Sequence, residues 1–233
     1  MRTSAISVTA FLVGCASTPG AQPHDMSIEQ HEAAAVAEEN RAGQHQAQFD
    51  PESSEREARC IGPKASSQPC WTTLKNPTET HSKEAAEHAR AAADHRAGSQ
   101  ALKDAEARAC VGVPAMDRDM SPFDHREDIV GVKALEEAAT LPKGSSTVVG
   151  AVVTFRAVPG MTAQWFQRVI DCHIARNAAL GHNVPEMPYC PLVPKGASAT
   201  VSATSDGFAV AVRGSDPAAA QEILRRSNGL VAH

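Results

Sequence analysis

The chain has 233 residues, which is enough for one medium-sized domain with an appendage or for two small domains. Its formal net charge of -5 gives no reason to expect nucleic-acid binding, which usually uses a basic face. Aromatic residues make up only 4% of the chain, and no apolar run approaches the roughly 20 residues of a membrane-spanning helix.

The first fifteen residues have the layout of a bacterial export signal. Arg2 is followed by a short apolar stretch that ends in the sequence LVGC at residues 12–15. This ending resembles the lipobox of bacterial lipoproteins. The resemblance implies that the signal is removed, that Cys15 is lipidated, and that Ala16 after it directs the protein to the periplasmic side of the outer membrane. The alternative is a cleaved signal with a coincidental cysteine.

Export would place the remaining cysteines in an oxidising compartment, where disulfides persist. Their number is odd once Cys15 is set aside, so at least one is a thiol, a metal ligand or an intermolecular partner. The pairs that lie closest in sequence are the first candidates for disulfides. These are Cys60 with Cys70 and Cys172 with Cys190.

An antiparallel α-helical hairpin is predicted for residues 26–112, after a flexible tether at residues 16–25. Ser27 and Gln30 match a capping box, and the helix that they open should run to about Gln48. The second helix should begin with Asn76 as its cap and end near Ala109 or Cys110. Between the helices, prolines and Cys60 and Cys70 predict a crosslinked loop at residues 50–76.

Residues 113–126 are interpreted as a linker, and residues 127–233 as a small α+β domain. The acidic segment 114–128 either joins the two regions or contributes to a groove between them. The order of elements, ββαββα, predicts an antiparallel sheet with helices on one face. The elements are strands at 129–135 and 147–158, a helix at 161–181 capped by Thr162, a hairpin at 197–213 turning at Asp206-Gly207, and a helix from Asp216-Pro217 to about Leu230.

Polar residues recur every seven positions along both helices of the predicted hairpin, where a partner helix should pack. The first helix carries His31, Glu38 and His45 at this spacing, and the second carries His81, His88 and His95. In one antiparallel register these residues form three layers about 10 Å apart along the axis. The layers pair His45 with His81, Glu38 with His88, and His31 with His95.

One metal ion cannot bridge two such layers, so a third ligand must come from the same helix. Glu84 follows His81 by three residues and precedes His88 by four, and both spacings share a helix face. Either His45, His81 and Glu84, or Glu38, Glu84 and His88, would form a set that suits zinc or copper(II). The alternatives are a hydrogen-bonded structural seam and a pH-sensitive contact between the helices.

A second group of soft ligands lies near the end of the predicted central helix. Its members suit copper, and they are Cys172, His173, His182, Met187 and Cys190. Cys172 and Cys190 are equally well explained as a disulfide. The chain contains no Gly-rich phosphate loop, GxSxG elbow or HExxH helix.

Three functional interpretations follow from the sequence. The first is a lipid-anchored envelope protein with a non-enzymatic, structural or protein-interaction role, whose partners are the membrane and another envelope protein. The second is a periplasmic protein that binds zinc or copper through the hairpin histidines. The third is an enzyme whose site lies in the C-terminal α+β domain.

Overall fold

The structure, a computed structural model, describes residues 26–60, 70–138 and 146–231. The predicted signal segment, the lipidated Cys15 and the predicted tether lie outside these residues. The fold is α+β, with an N-terminal helical hairpin and antiparallel sheets, as the sequence predicts. No helix in the described part of the chain is long and apolar enough to cross a membrane.

The hairpin consists of helix α1, Ile28–Gln48, and helix α2, Glu79–Ala109. The predicted capping box is present, because Ser27 Oγ accepts from the Gln30 backbone N–H and the Gln30 side chain accepts from the Ser27 backbone N–H. The start of α2 differs from the prediction. Thr78 is its cap residue, while the Asn76 side chain accepts hydrogen bonds from Thr78.

The segment between the helices contains a β-ribbon where the sequence predicted a loop. Its strands are β1, Glu55–Cys60, and β2, Cys70–Lys75, which pair antiparallel. The predicted disulfide joins Cys60 to Cys70 across the ribbon. Few apolar residues alternate in these strands, so the sequence lacks the pattern that identifies a half-buried strand.

The rest of the described chain forms a four-stranded antiparallel sheet with helices packed on it. The strand order is β3-β4-β6-β5, which places the two longest strands, β3 and β4, beside each other. The elements in chain order are α3 Ala115–Asp119, a 3₁₀ turn Arg126–Asp128, β3 Ile129–Ala138, β4 Ser146–Arg156, α4 Ala163–Ala179, β5 Ser198–Ala203, β6 Gly207–Arg213 and α5 Pro217–Asn228.

The hydrophobic core lies between this sheet and helices α4 and α5. Alternate residues of β4, such as Val153 and Phe155, face the core, as the period of two in a strand requires. Phe166 and Ile170 of α4 and Ile223 of α5 pack against this face. The predicted caps Thr162 and Asp216 accept backbone hydrogen bonds at the starts of these two helices.

A disulfide joins the hairpin to the α+β region, and it corrects one sequence prediction. Cys172 of α4 bonds to Cys110 at the end of α2, so the predicted Cys172–Cys190 pair is wrong. Cys190 is a buried thiol instead. The physical reason is helix geometry, because successive helical residues point about 100° apart. Cys172 therefore faces α2, while His173 faces the segment that carries Cys190.

Candidate metal centre in the helical hairpin

The structure brings together each pair of polar residues that the sequence placed opposite each other. In the three layers, Nδ1 of His45 lies 3.3 Å from Nδ1 of His81, Nδ1 of His88 lies 2.6 Å from Glu38 Oε2, and Nδ1 of His31 lies 3.2 Å from Nδ1 of His95. One antiparallel register thus satisfies three layers at once. Small residues, including Ala35, Ala85 and Ala92, are buried between them and let the helices approach closely.

Access to solvent increases along the seam from the α+β region to the tip of the hairpin. The His31 side chain is fully buried and His95 is 8% exposed. At the other end His45 and His81 are 27% and 32% exposed, because they lie in the last turn of α1 and the first turn of α2. An ion from solution would therefore reach the tip layer most easily.

Glu84 completes the tip layer as a group of three potential metal ligands. Its Oε2 lies 3.0 Å from Nδ1 of His45 and 3.5 Å from Nδ1 of His81. The three residues form a cluster in which one ligand atom from each lies within 4.8 Å of the others. The first of the two ligand sets derived from the sequence is therefore assembled across the two helices.

The spacing of these three atoms matches tetrahedral zinc. Two ligands about 2.0–2.1 Å from zinc and separated by a tetrahedral angle lie roughly 3.3 Å apart. The observed separations are 3.0, 3.3 and 3.5 Å. One ion could contact all three atoms with little movement, which would leave a fourth position for water or another ligand. Copper(II) accepts the same ligand types.

Metal binding at the tip layer would compete with a proton. Without an ion, one imidazole donates its Nδ1–H to Nδ1 of the other, as the 3.3 Å separation between His45 and His81 indicates. An ion bound by both Nδ1 atoms leaves each neutral ring with its one proton on Nε2, whereas a doubly protonated ring must first lose a proton. We therefore expect metal affinity at this layer to weaken as the pH falls.

The second predicted set, Glu38, Glu84 and His88, is not assembled. His88 is turned towards Glu38, and this hydrogen bond holds the pKa of the Glu38 carboxyl below its usual range. Glu84 instead contacts His45 and His81. The His88 ring nevertheless supports the tip layer, because it stacks on His45 with ring centroids 5.4 Å apart and an interplanar angle of 11°.

The innermost layer is a poor candidate for a metal centre. Although His31 and His95 are in contact, no third histidine, cysteine or carboxylate in the described ranges joins them in a cluster. The layer is instead fitted around Gly98 of α2. A Cβ atom at Gly98 would lie only 2.7 Å from Cε1 of His31, so the glycine makes room for the buried imidazole.

The copper-like group near the end of α4 is only partly brought together. Cys172 forms a disulfide with Cys110 and so offers no thiolate. Nδ1 of His182 lies 2.8 Å from the Val193 carbonyl oxygen. Nε2 of His173 lies 3.5 Å from Sγ of Cys190, but both residues are buried. Burial lowers the pKa of His173 to about 4 and raises the pKa of the Cys190 thiol, so the pair is neutral.

A second cluster of potential ligands was not predicted from the sequence. His125, Glu127 and Asp128 lie together because they are almost consecutive around a tight 3₁₀ turn. Arg156 already pairs with Asp128 at 2.7 Å, and His125 and Glu127 are exposed. Clusters of this kind are common on protein surfaces, and the tip layer of the hairpin remains the stronger candidate.

Comparison with protein-family models, curated proteins and solved structures finds no match to this chain.

Proposed function

We propose that this protein is a lipid-anchored bacterial envelope protein whose helical hairpin binds one divalent metal ion, zinc or copper(II). The ligands are His45, His81 and Glu84. The observation that carries the proposal is the spacing of their three ligand atoms, 3.0 to 3.5 Å, which suits one tetrahedral ion. The ligands come from two helices, so the spacing of their atoms is set by the packing of α1 against α2 and not by closeness in sequence.

The two disulfides support the envelope location. Cys60–Cys70 and Cys110–Cys172 are the kind of crosslink that persists in oxidising compartments and is rare in the cytosol. The lipobox-like ending at Cys15 supports the same location through a separate part of the chain. An acyl anchor at Cys15 would place the protein on the membrane surface, facing the periplasm.

The exposure of the tip layer supports reversible binding rather than a permanent structural role for the ion. Structural zinc sites usually have four protein ligands, whereas this layer provides three. The Glu84 side chain is 47% exposed, so solvent reaches the ligands. A protein of this kind would buffer or carry metal in the periplasm.

A structural role for the seam is the second candidate, and one observation favours it. Each layer contains a hydrogen bond between its two side chains. In that case the histidines only fix the register of α1 against α2, as polar residues do in coiled coils. A structural or protein-interaction role at the envelope would then remain.

A metal titration distinguishes the two candidates. The chain from Ala16 onwards, stripped of metal, is titrated with zinc and with copper(II) by calorimetry at neutral pH. We expect one ion per chain, and we expect His81→Ala to weaken binding by at least about a hundredfold, because one of only three protein ligands is lost. Glu84→Gln should weaken binding less, since it keeps an oxygen ligand and loses a charge.

The matched control is His125→Ala, which removes a histidine from the surface cluster outside the hairpin. Its affinity should equal that of the parent. If His125→Ala abolishes binding and His81→Ala does not, the ion binds at the surface cluster and the proposed centre is wrong. If the parent binds no ion stoichiometrically, the seam is structural.

A further inference from the structure

A small cavity opens between the segment that follows the hairpin and the start of α4. Its volume is about 110 Å³. Its inner wall is largely aromatic and apolar, made mainly by Phe155, Met161, Trp165, Phe166 and Val169. Residues of the acidic segment 114–128 form the other side.

The wall of this cavity is held in place by the core and by a disulfide. Phe155 and Phe166 meet edge to face with ring centroids 5.1 Å apart. Trp165 packs against the buried cluster that contains the Cys110–Cys172 disulfide. A ligand would therefore meet a largely pre-formed surface, and little of its binding energy would be spent on ordering the protein.

The acidic residues that line the cavity favour a cation. Asp117 lines it and makes no ion pair with any residue that the structure describes. Asp128, also in the lining, is already neutralised by Arg156 at 2.7 Å. His125 also lines the cavity, and its Nδ1 lies 3.3 Å from Glu127 Oε1. A carboxylate therefore remains at the cavity without a basic partner.

We propose that this cavity binds a small organic cation, an ammonium group attached to an apolar body about the size of one aromatic ring. The aromatic faces would attract the positive charge, and the Asp117 carboxylate would pair with it. The volume of about 110 Å³ is below the roughly 150 Å³ of an apolar protein cavity that binds benzene, so one ring is the upper limit and the ammonium group would lie at the open side. Met120, which is 45% exposed, adds a polarisable side chain to the lining. The proposal does not depend on the metal centre.

Fluorescence of Trp165 tests the proposal directly. The chain has two tryptophans, so Trp71→Phe leaves Trp165 as the only reporter. This protein, with metal removed by a chelator, is titrated with benzylammonium and with benzyl alcohol, a neutral molecule of similar shape. We expect benzylammonium to shift the Trp165 emission saturably, and benzyl alcohol to bind at least about tenfold more weakly because it lacks the charge.

Asp117→Asn, in the same background, should reduce benzylammonium affinity about tenfold and leave that of benzyl alcohol unchanged. Asp94→Asn, which removes an exposed carboxylate from the middle of α2, is the matched control and should change neither. Equal affinities for the two ligands would overturn the proposal, as would the absence of any saturable shift. The comparison of the two ligands uses the Trp71→Phe protein with Asp117 intact, so it tests the proposal even if Asp117→Asn fails to fold.

Discussion

The hairpin and the α+β region bury very different side chains. The interface of the hairpin is made of alanine, glycine, serine and histidine, and Leu102 is the largest apolar side chain that is fully buried there. The core of the α+β region contains Phe123, Phe155, Ile170 and Ile223, with neighbouring aromatic rings in contact. Because apolar burial is the main source of stability, most of it should come from the second region.

The hairpin buries little apolar area, but its polar layers specify the register in which α1 and α2 pair. A helix pair with an alanine interface could slide by one heptad at little cost, but the slide would keep only two polar pairs and place His31 opposite Leu102, or His45 opposite Leu74. Unpaired buried polar groups are costly, so the layers fix one register. Because the hairpin buries little apolar area, we expect its stability to depend on its attachment to the α+β region. At this attachment Arg176 of α4 donates a 2.8 Å hydrogen bond to Glu106 of α2.

The largest expected effect comes from cutting the covalent link between the two regions. Cys110→Ala combined with Cys172→Ala should lower the free energy of unfolding by about 4 kcal/mol, because the disulfide closes a long loop. The two cysteines are 62 residues apart in sequence. Urea unfolding followed by circular dichroism measures the change, and we expect the hairpin to unfold before the sheet in this variant.

The Cys60–Cys70 disulfide provides the matched control for this prediction. It spans only 10 residues and closes a ribbon whose strands are largely exposed. Its removal by Cys60→Ala and Cys70→Ala should lower the free energy of unfolding by at most about 2.7 kcal/mol, the value for a 10-residue loop, and by less where the exposed ribbon opens locally before the rest unfolds. Equal losses for the two disulfides would show that the hairpin does not depend on its attachment.

Two glycines test the packing of the seam at residue level. Gly98→Ala should cost about 1–2 kcal/mol, because its new Cβ would crowd the fully buried His31 ring. Gly43→Ala should instead stabilise by about 0.5–1 kcal/mol, since that position is helical and nothing lies within 4 Å of the new atom. Thermal and urea unfolding of the two variants measure this difference in sign.

A double substitution tests whether the His31 ring is the group that the new Cβ at residue 98 crowds. In a His31→Ala background the ring is gone, so Gly98→Ala should become stabilising, as Gly43→Ala is. If Gly98→Ala is destabilising by the same amount in both backgrounds, the glycine is required for another reason and the fit around His31 is not the cause.

The contrast between the regions also explains which features could be predicted from the sequence. The helix starts at Ser27, Thr162 and Asp216 were predictable because a cap depends on a few neighbouring residues. The layers were predictable because, of the antiparallel registers that heptad spacing allows, only one pairs all three polar residues of each helix. Glu84 could be added to the tip layer from its helical spacing alone.

The features that were missed depend on tertiary packing. Nothing local indicates that Cys172 faces Cys110, because the two are 62 residues apart and meet only when α4 packs on α2. The β-ribbon was missed because its strands have no buried face and so lack apolar alternation. The cavity beside Trp165 and the role of Gly98 likewise require knowledge of which surfaces meet.

The middle layer gives a prediction of similar size that depends on pH. Glu38 faces His88 across the seam and Arg41 on its own helix, and the His88 hydrogen bond is the main reason that the pKa of Glu38 lies below its usual range. A carboxyl whose pKa is lower in the folded state stabilises the fold above its unfolded pKa, and this stabilisation is lost as the pH falls through the folded value.

We therefore expect Glu38→Gln to cost about 1 kcal/mol at pH 7, and to cost nothing once the pH is well below 4.5, the ordinary pKa of this carboxyl. Urea unfolding of both proteins between pH 7 and pH 3 measures the difference. Glu39→Gln is the control, because it removes the same charge from the next residue, where a 46% exposed carboxylate pairs with Arg96. Such surface pairs contribute little. A Glu38→Gln cost that does not change with pH would mean that the middle layer fixes the register by shape alone, without its charge.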